Sequence, residues 1–274
     1  MQDTILTIYC LCANLLQALA FQDDPQVQLS TAEVLTVPLV AAAFFGGNLN
    51  QSRQFLHEQG YCPQMLSESR LNRRLHAVPT ELWQTLFGLL GQVFKAHNAS
   101  ATYVVDSLPV PVCDNIRIQR CKLLRGEAHR GYIASKRRYF YGLRVHLLVT
   151  ATGEPVEFVL APGATADIEA FKEFALDLPL GSTIYADKAY NDYTWEDVLH
   201  AAGLTLQPQR KKNSKRPLSL CLEFMAYPVR KRIETSFSQL TARFPKHIHA
   251  VTPQGFVLKV VCFLLAFSIE CLLR

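Results

Sequence analysis

Eight cysteines are spread over the 274 residues without one Cys-x-x-Cys pair and without a Cys/His spacing of the zinc-binding kind. Cys10, Cys12, Cys62, Cys113, Cys121, Cys221, Cys262 and Cys271 lie mostly in apolar surroundings such as Ile8-Tyr-Cys-Leu-Cys and Val261-Cys-Phe. That setting suits reduced core thiols and a cytoplasmic location. A basic stretch is missing ahead of the apolar residues 5–21, and Asp3 stands there instead, which argues against a signal peptide. Residues 256–273 are long and apolar, but Lys259 and Glu270 interrupt them near both ends. Both stretches read as buried helices, and no membrane partner is expected. Disorder is excluded by a hydrophobic content of 49%.

Charge is scarce overall, at a net +5, but it is unevenly placed. Residues 1–98 carry 5 Lys/Arg against 7 Asp/Glu, and residues 99–274 carry 23 against 16. The basic second part points weakly to nucleic acid or another polyanion. The pattern of elements changes at the same place. Residues 1–98 read as a small all-helical domain, with a capping box at Ser30-Thr-Ala-Glu33 and breaks at Gly46-Gly47 and at Gly60 with Pro63. Residues 67–76 read as a short basic helix on which Arg70, Arg73 and Arg74 share one face. It is either the reading helix of a helix-turn-helix unit, binding DNA ends, or a solvated face.

From residue 99 the expectation is strands at 101–106, 139–149 and 155–160, with a hairpin turn at Thr152-Gly153. A helix from Asp167, a strand at 182–187, a helix at 195–202 ended by Gly203, a strand at 204–208 and a long helix at 228–244 follow. Pro228 suits the first position of that last helix. The order β-β-β-α-β-α-β-α matches an RNase H-like α/β domain, a mixed five-stranded sheet flanked by helices, over 99–274.

Three acids stand out in that layout. Asp106 and Asp187 each close an apolar, strand-like run, Ala101-Thr-Tyr-Val-Val-Asp and Ser182-Thr-Ile-Tyr-Ala-Asp, and Glu234 lies in the last helix. A carboxylate at the end of a buried strand loses hydration and needs a partner. Two parallel strands bring both aspartates to one edge. In the last helix Ile233, Phe237, Leu240 and Phe244 form the core stripe, while Tyr227, Arg230, Glu234 and Thr241 lie within about 60° of one another on another stripe. Three gathered carboxylates repel unless cations enter. Two Mg²⁺ ions roughly 4 Å apart, or Mn²⁺ in their place, would relieve that repulsion and act on a phosphodiester, with Arg230 facing its non-bridging oxygens. Plainer roles remain open: Asp106 capping a turn at Ser107, Asp187 paired with Lys188, Glu234 paired with Arg230 or Lys231.

Around the acids lie the basic groups Arg117/Arg120/Lys122/Arg125, Lys136/Arg137/Arg138, Arg210/Lys211/Lys212/Lys215/Arg216 and Arg230/Lys231/Arg232, with Lys188 beside Asp187 and Arg243 near the last helix's end. Any one is commonly a solvated face; together they suit a track for a DNA backbone. Tyr132, Tyr139, Phe140 and Tyr141 interleave with one group, either stacking on bases or packing the strand. His146 approaches the site or fills the core, the latter being the more common fate of such a residue.

These residues resemble the DDE transposases of bacterial insertion sequences, and among them the insertion-sequence nine-eight-two family. The resemblance rests on Val105-Asp-Ser-Leu-Pro-Val-Pro-Val-Cys113, Gly131-Tyr-Ile-Ala-Ser-Lys136, Tyr141-Gly-Leu-Arg-Val-His-Leu-Leu-Val149, Ala186-Asp-Lys-Ala-Tyr-Asn191, Arg210-Lys-Lys-Asn-Ser-Lys215 and Arg230-Lys-Arg-Ile-Glu-Thr-Ser-Phe-Ser-Gln-Leu240. It implies that Asp106, Asp187 and Glu234 are the metal-binding triad of a transposase. It further implies a Tyr-Arg-Glu-Lys signature at Tyr227, Arg230 and Glu234; Thr241 replaces its lysine, a contact either lost or supplied by Arg243. Double-stranded DNA, as element ends and target, and a homodimer on that DNA are the implied partners. A domesticated DNA-binding protein that no longer cuts, or a general nuclease of the same fold, are the alternatives.

Overall fold

The structure, a computed structural model, describes residues 1–211 and 213–274, and all their side chains but those of Asp114, Asn115, Ile116, Ser135, Met225, Arg230, Arg232 and Ile233. In chain order the main elements are α1 (Gln2–Ala18), α2 (Thr31–Phe44), α3 (Leu49–Glu58), α4 (Glu68–Ala77), α5 (Thr80–His97), β1 (Thr102–Asp114), β2 (Arg130–Ile133), β3 (Arg138–Thr150), β4 (Pro155–Pro162), α6 (Asp167–Phe171), β5 (Thr183–Ala186), α7 (Tyr193–Ala201), β6 (Thr205–Pro208), α8 (Leu220–Arg243) and α9 (Pro253–Leu272). Their contacts form two compact units: residues 1–90 with 242–274, and residues 91–241.

In the first unit α2 is the hub. Eleven of its positions between Thr31 and Ala42 are buried, on every side of the helix, and α1, α3 and α9 pack against it. The expected capping box opens it: Ser30 Oγ accepts the Glu33 N–H, and the Glu33 carboxylate accepts the Ser30 N–H at 2.7 Å. Helix α9 is long and apolar enough to cross a membrane, yet 61% of its most apolar window is buried. Its buried residues run from Phe256 to Ile269 and pack on α1 and α2, as the core helix of a folded unit does. Burial pushes the Cys12 thiol up to about 12, so it stays protonated and apolar among them.

The second unit is built on a mixed six-stranded sheet with the order β2-β3-β1-β5-β6, and β4 also pairs with β3. β1, β3 and β4 are antiparallel neighbours, while β5 and β6 run parallel to β1. The chain order β-β-β-β-α-β-α-β-α is the expected one with a strand added: β2, four residues that pair with the start of β3. Gly153 turns the β3–β4 hairpin at φ +102°, and Gly203 ends α7 at φ +80°, both in the left-handed region that glycine enters without strain.

Two expectations are corrected. β1 does not stop at Asp106 but continues to Asp114. Pro109 and Pro111 lack an N–H, yet β5 pairs only with Thr102–Val104, so beyond that point one side of β1 is an open edge where proline is tolerated. Helix α8 begins at Leu220, which leaves Pro228 inside it rather than at its start. The preceding Leu, Glu and Ala residues favour helix strongly enough to extend it backward past the one backbone bond that proline removes.

A candidate active site where the sheet opens

Asp106 stands where β5 leaves β1. The parallel register pairs Thr102 with Thr183 and Val104 with Tyr185. Two residues further along, Asp106 falls opposite Asp187, the residue that follows β5. Positions aligned in this way on parallel strands face the same side of the sheet, with strands about 4.8 Å apart. Both aspartates are half-buried. Asp106 Oδ1 accepts the Ser107 N–H at 2.7 Å. Asp187 Oδ1 accepts the Ala189 N–H at 2.7 Å and so caps a short 3-10 turn, Lys188–Tyr190, that bends the chain away from the sheet.

Glu234 is exposed on α8, on the wall of a cleft of about 430 Å³. Ala186 and Lys188, which flank Asp187, line the same cleft with Gln207, Tyr227 and Lys231. The register thus carries the two aspartates to the same end of the β1–β5 pair, and the cleft brings Glu234 to the neighbours of the second. Among the described residues, no three His, Cys, Asp or Glu side chains are close enough to hold a metal ion together. Asp106 and Asp187 nevertheless fit a hard divalent cation in type, and their combined field is visible at Tyr190. Burial first, then Asp167, Asp106 and Asp187, raise that hydroxyl well above its ordinary range, against a hydrogen bond with Ser107.

On the side of the sheet that carries Ser107 is a set of polar groups that the sequence did not reveal as one cluster. Ser107 and His146 are cross-strand partners, and Arg144 lies two residues before His146 on β3. Asp167, the first residue of α6, gathers them: its Oδ1 accepts the Ser107 hydroxyl at 2.9 Å and lies 3.4 Å from Arg144 Nη1 and 3.7 Å from His146 Nδ1. His146 Nδ1 is 3.3 Å from the Tyr190 hydroxyl. His146 is fully buried, and burial pushes its pKa down to about 4; Asp167 opposes that shift and Arg144 adds to it. The ring is neutral at pH 7. In the sequence Asp167 reads as nothing more than an acidic residue in the first turn of a helix, and only the fold brings it beneath β1.

The basic candidates divide by what they touch. Lys136, Arg137 and Arg138 are exposed at the tip of the β2–β3 hairpin, where Tyr132 and Tyr139 are exposed too, with ring centroids 4.9 Å apart. Phe140 and Tyr141 are buried in the core. Lys188, Lys211, Lys215 and Tyr227 are exposed in the same unit, and Arg70 and Arg73 are exposed on α4 of the helical unit. Three others are engaged within the protein. Arg210 forms a bidentate pair with the buried Glu196, at 2.7 Å on both oxygens, and also donates to Asn191. Arg74 donates to the Leu29 carbonyl and pairs with Asp23, and Arg243 pairs with Glu270. Lys212 and the Arg230 side chain lie outside the described residues.

Residues 96–248, more than half of the chain, match the protein family described as "Transposase DDE domain". The chain belongs to the DDE transposase domain family. The matched segment holds both aspartates, Glu234 and the β2–β3 hairpin. No curated protein matches this DDE transposase. Among solved structures it is similar to a piggyBac transposase in a synaptic complex with hairpin DNA, at a TM-score of 0.44 and 11% sequence identity, over 98% of this chain and 72% of that one.

Proposed function

We propose that this DDE transposase, a relative of the insertion-sequence nine-eight-two group with an RNase H-like domain, binds the ends of its own element as double-stranded DNA, cleaves a strand and joins it to a target. The observation that carries this reading is the parallel register of β1 and β5, which, continued two residues past Val104 and Tyr185, sets Asp106 opposite Asp187. Asp106 and Asp187, with Glu234 from the wall of the adjoining cleft, would hold two Mg²⁺ ions or Mn²⁺ in their place. When bound, the metal supplies Lewis-acid stabilisation of charge on the phosphorus oxygens.

The chain's own groups do the remaining work. The two aspartates hold their positions through the backbone N–H groups they accept. Lys188, Lys211 and Lys215, exposed in the same unit, offer compact positive charge to DNA phosphates, with Arg230 assigned to the non-bridging oxygens. Tyr227, exposed on the cleft wall, contacts the strand near the cut. The helical unit, through Arg70 and Arg73 on α4, is assigned to element-end binding, and a homodimer to the pairing of two ends. No covalent link between protein and DNA is needed, because a freed 3′-hydroxyl serves as the next nucleophile.

The test is cleavage and strand transfer on labelled duplexes carrying the element's terminal repeats, with Mg²⁺, Mn²⁺ or EDTA. Metal-dependent nicking at the repeat boundary, followed by joining, is expected, with loss of both steps in Asp106→Asn, Asp187→Asn and Glu234→Gln. Normal cleavage by those variants, folded as the wild type, sinks the reading. Equal cutting of unrelated DNA without joining would identify a general nuclease instead.

A further inference from the structure

The two aspartates share one internal support. On one side, Ser107 is the residue after Asp106, gives its N–H to that carboxylate, and gives its hydroxyl to Asp167. On the other, Asp187 caps the turn that ends in Tyr190, and the Tyr190 side chain returns beneath β1, where it is 1% exposed and meets His146 and Ser107. Asp167 is common to both branches. Its carboxylate takes the Ser107 hydroxyl and faces Arg144 and His146, and Arg144 Nη1 also reaches Ser107 Oγ at 3.4 Å. Arg144 is anchored in turn, because its Nη2 donates to the Tyr132 carbonyl at 3.3 Å.

We propose that Asp167 is a positioning residue that fixes the spacing of Asp106 and Asp187, through Ser107 on the first and through His146 and Tyr190 on the second. It does so as an inward-facing acceptor, paired with a guanidinium, whose carboxylate orients the groups that hold the two acids. Charge is needed for this, not only shape. An amide in its place keeps one acceptor but leaves Arg144 without its counter-ion and turns an N–H₂ toward groups that donate. The β1 and β5 ends are then free to separate. Arg144 Nε and His146 Nε2 have no hydrogen-bond partner among the described residues, so the geometry of this buried network hangs on the contacts that the Asp167 carboxylate makes. Outer partners of metal ligands generally cost 10- to 100-fold in metal affinity when removed. This inference rests on the reading of Asp106 and Asp187 as cation ligands.

The experiment is Mn²⁺ binding to the full chain in the absence of DNA, followed by electron paramagnetic resonance of free Mn²⁺. The variants are Asp167→Asn, Ser107→Ala, Ser107→Thr, Asp106→Asn, Asp187→Asn and, as a distant control, Asp177→Asn, which loses the Lys95 ion pair elsewhere in the unit. Asp106→Asn should abolish the site. Asp167→Asn and Ser107→Ala should weaken it about 10- to 100-fold, while Ser107→Thr, which keeps the hydroxyl, and Asp177→Asn bind as the wild type does. Wild-type affinity in both Asp167→Asn and Ser107→Ala, with binding lost in Asp106→Asn, overturns the positioning role alone. Unchanged binding in Asp106→Asn and Asp187→Asn overturns the ligand reading and this inference with it. Should Asp167→Asn fail to fold, Ser107→Ala against Ser107→Thr decides the matter, since it changes one hydroxyl.

Discussion

Single residues at this edge are tuned by burial more than by their immediate charge partners. His146 faces a carboxylate, which would ordinarily raise its pKa, yet full burial dominates and pushes it down to about 4. The unfolded chain takes up this proton near the ordinary value of 6.5, and the folded chain refuses it until about pH 4. Stability from this residue is therefore complete above pH 6.5 and is lost as the pH falls toward 4. The loss should reach about 3 kcal/mol, at 1.36 kcal/mol per pKa unit. Urea unfolding at a series of pH values should show it in the wild type and a flatter profile in His146→Gln; parallel profiles would contradict it. Arg210 is the opposite case, a charge whose work is internal. Its side chain is 8% exposed and held by Glu196, so Arg210→Ala leaves that buried carboxylate with only the more exposed Arg216, 3.7 Å away. Breaking a buried pair typically costs about 3–5 kcal/mol, and Arg216 offsets part of that here. Denaturant melts should report that drop, and an unchanged midpoint would return Arg210 to the set of DNA contacts.

Elements carry what residues cannot. The chain order of five of the six strands could be read from apolar runs and turn residues, and so could the two aspartates, because each closes such a run. The length of β1 could not be read: Pro109 and Pro111 look like the end of a strand unless it is known that β5 has already left its side. Asp167 was hidden for a related reason, since its partners Ser107, Arg144 and His146 come from strands far away in sequence. Glu234 was legible as a member of a polar helix stripe, but its place on a cleft wall shared with Ala186 and Gln207 depends on tertiary packing, which periodicity does not encode. The β2–β3 hairpin was legible only as a basic group interleaved with aromatics, because β2 was not expected; its tip holds three exposed cations beside two exposed tyrosines. If it follows a DNA backbone, Lys136→Ala, Arg137→Ala and Arg138→Ala together should lower the slope of log affinity against log salt by about 2–3, at roughly 0.9 per phosphate released. A titration of duplex binding over salt concentration measures this, and an unchanged slope removes the hairpin from the backbone track.

At the scale of the molecule, the helical unit is assembled from both ends of the chain, residues 1–90 and 242–274. Nothing local announces this; residues 256–273 read as a buried helix, with no sign of which helices bury it. Its place is set by α2, which is buried all round and needs cover that α1 and α3 do not complete. Eight large apolar side chains of α9 are buried: Phe256, Val260, Val261, Phe263, Leu264, Leu265, Phe267 and Ile269. At about 1.5 kcal/mol or more for each, their burial is comparable to the whole stability of an ordinary domain, about 5–15 kcal/mol. A fragment of residues 1–98 should therefore keep helical far-ultraviolet circular dichroism but melt without cooperativity and bind hydrophobic dye, the signature of a collapsed state without fixed packing. Adding a peptide of residues 245–274 should restore a cooperative transition, because α9 supplies the missing face. A sharp melt of the fragment alone would show instead that the five N-terminal helices fold as a domain of their own, with α9 as an added layer.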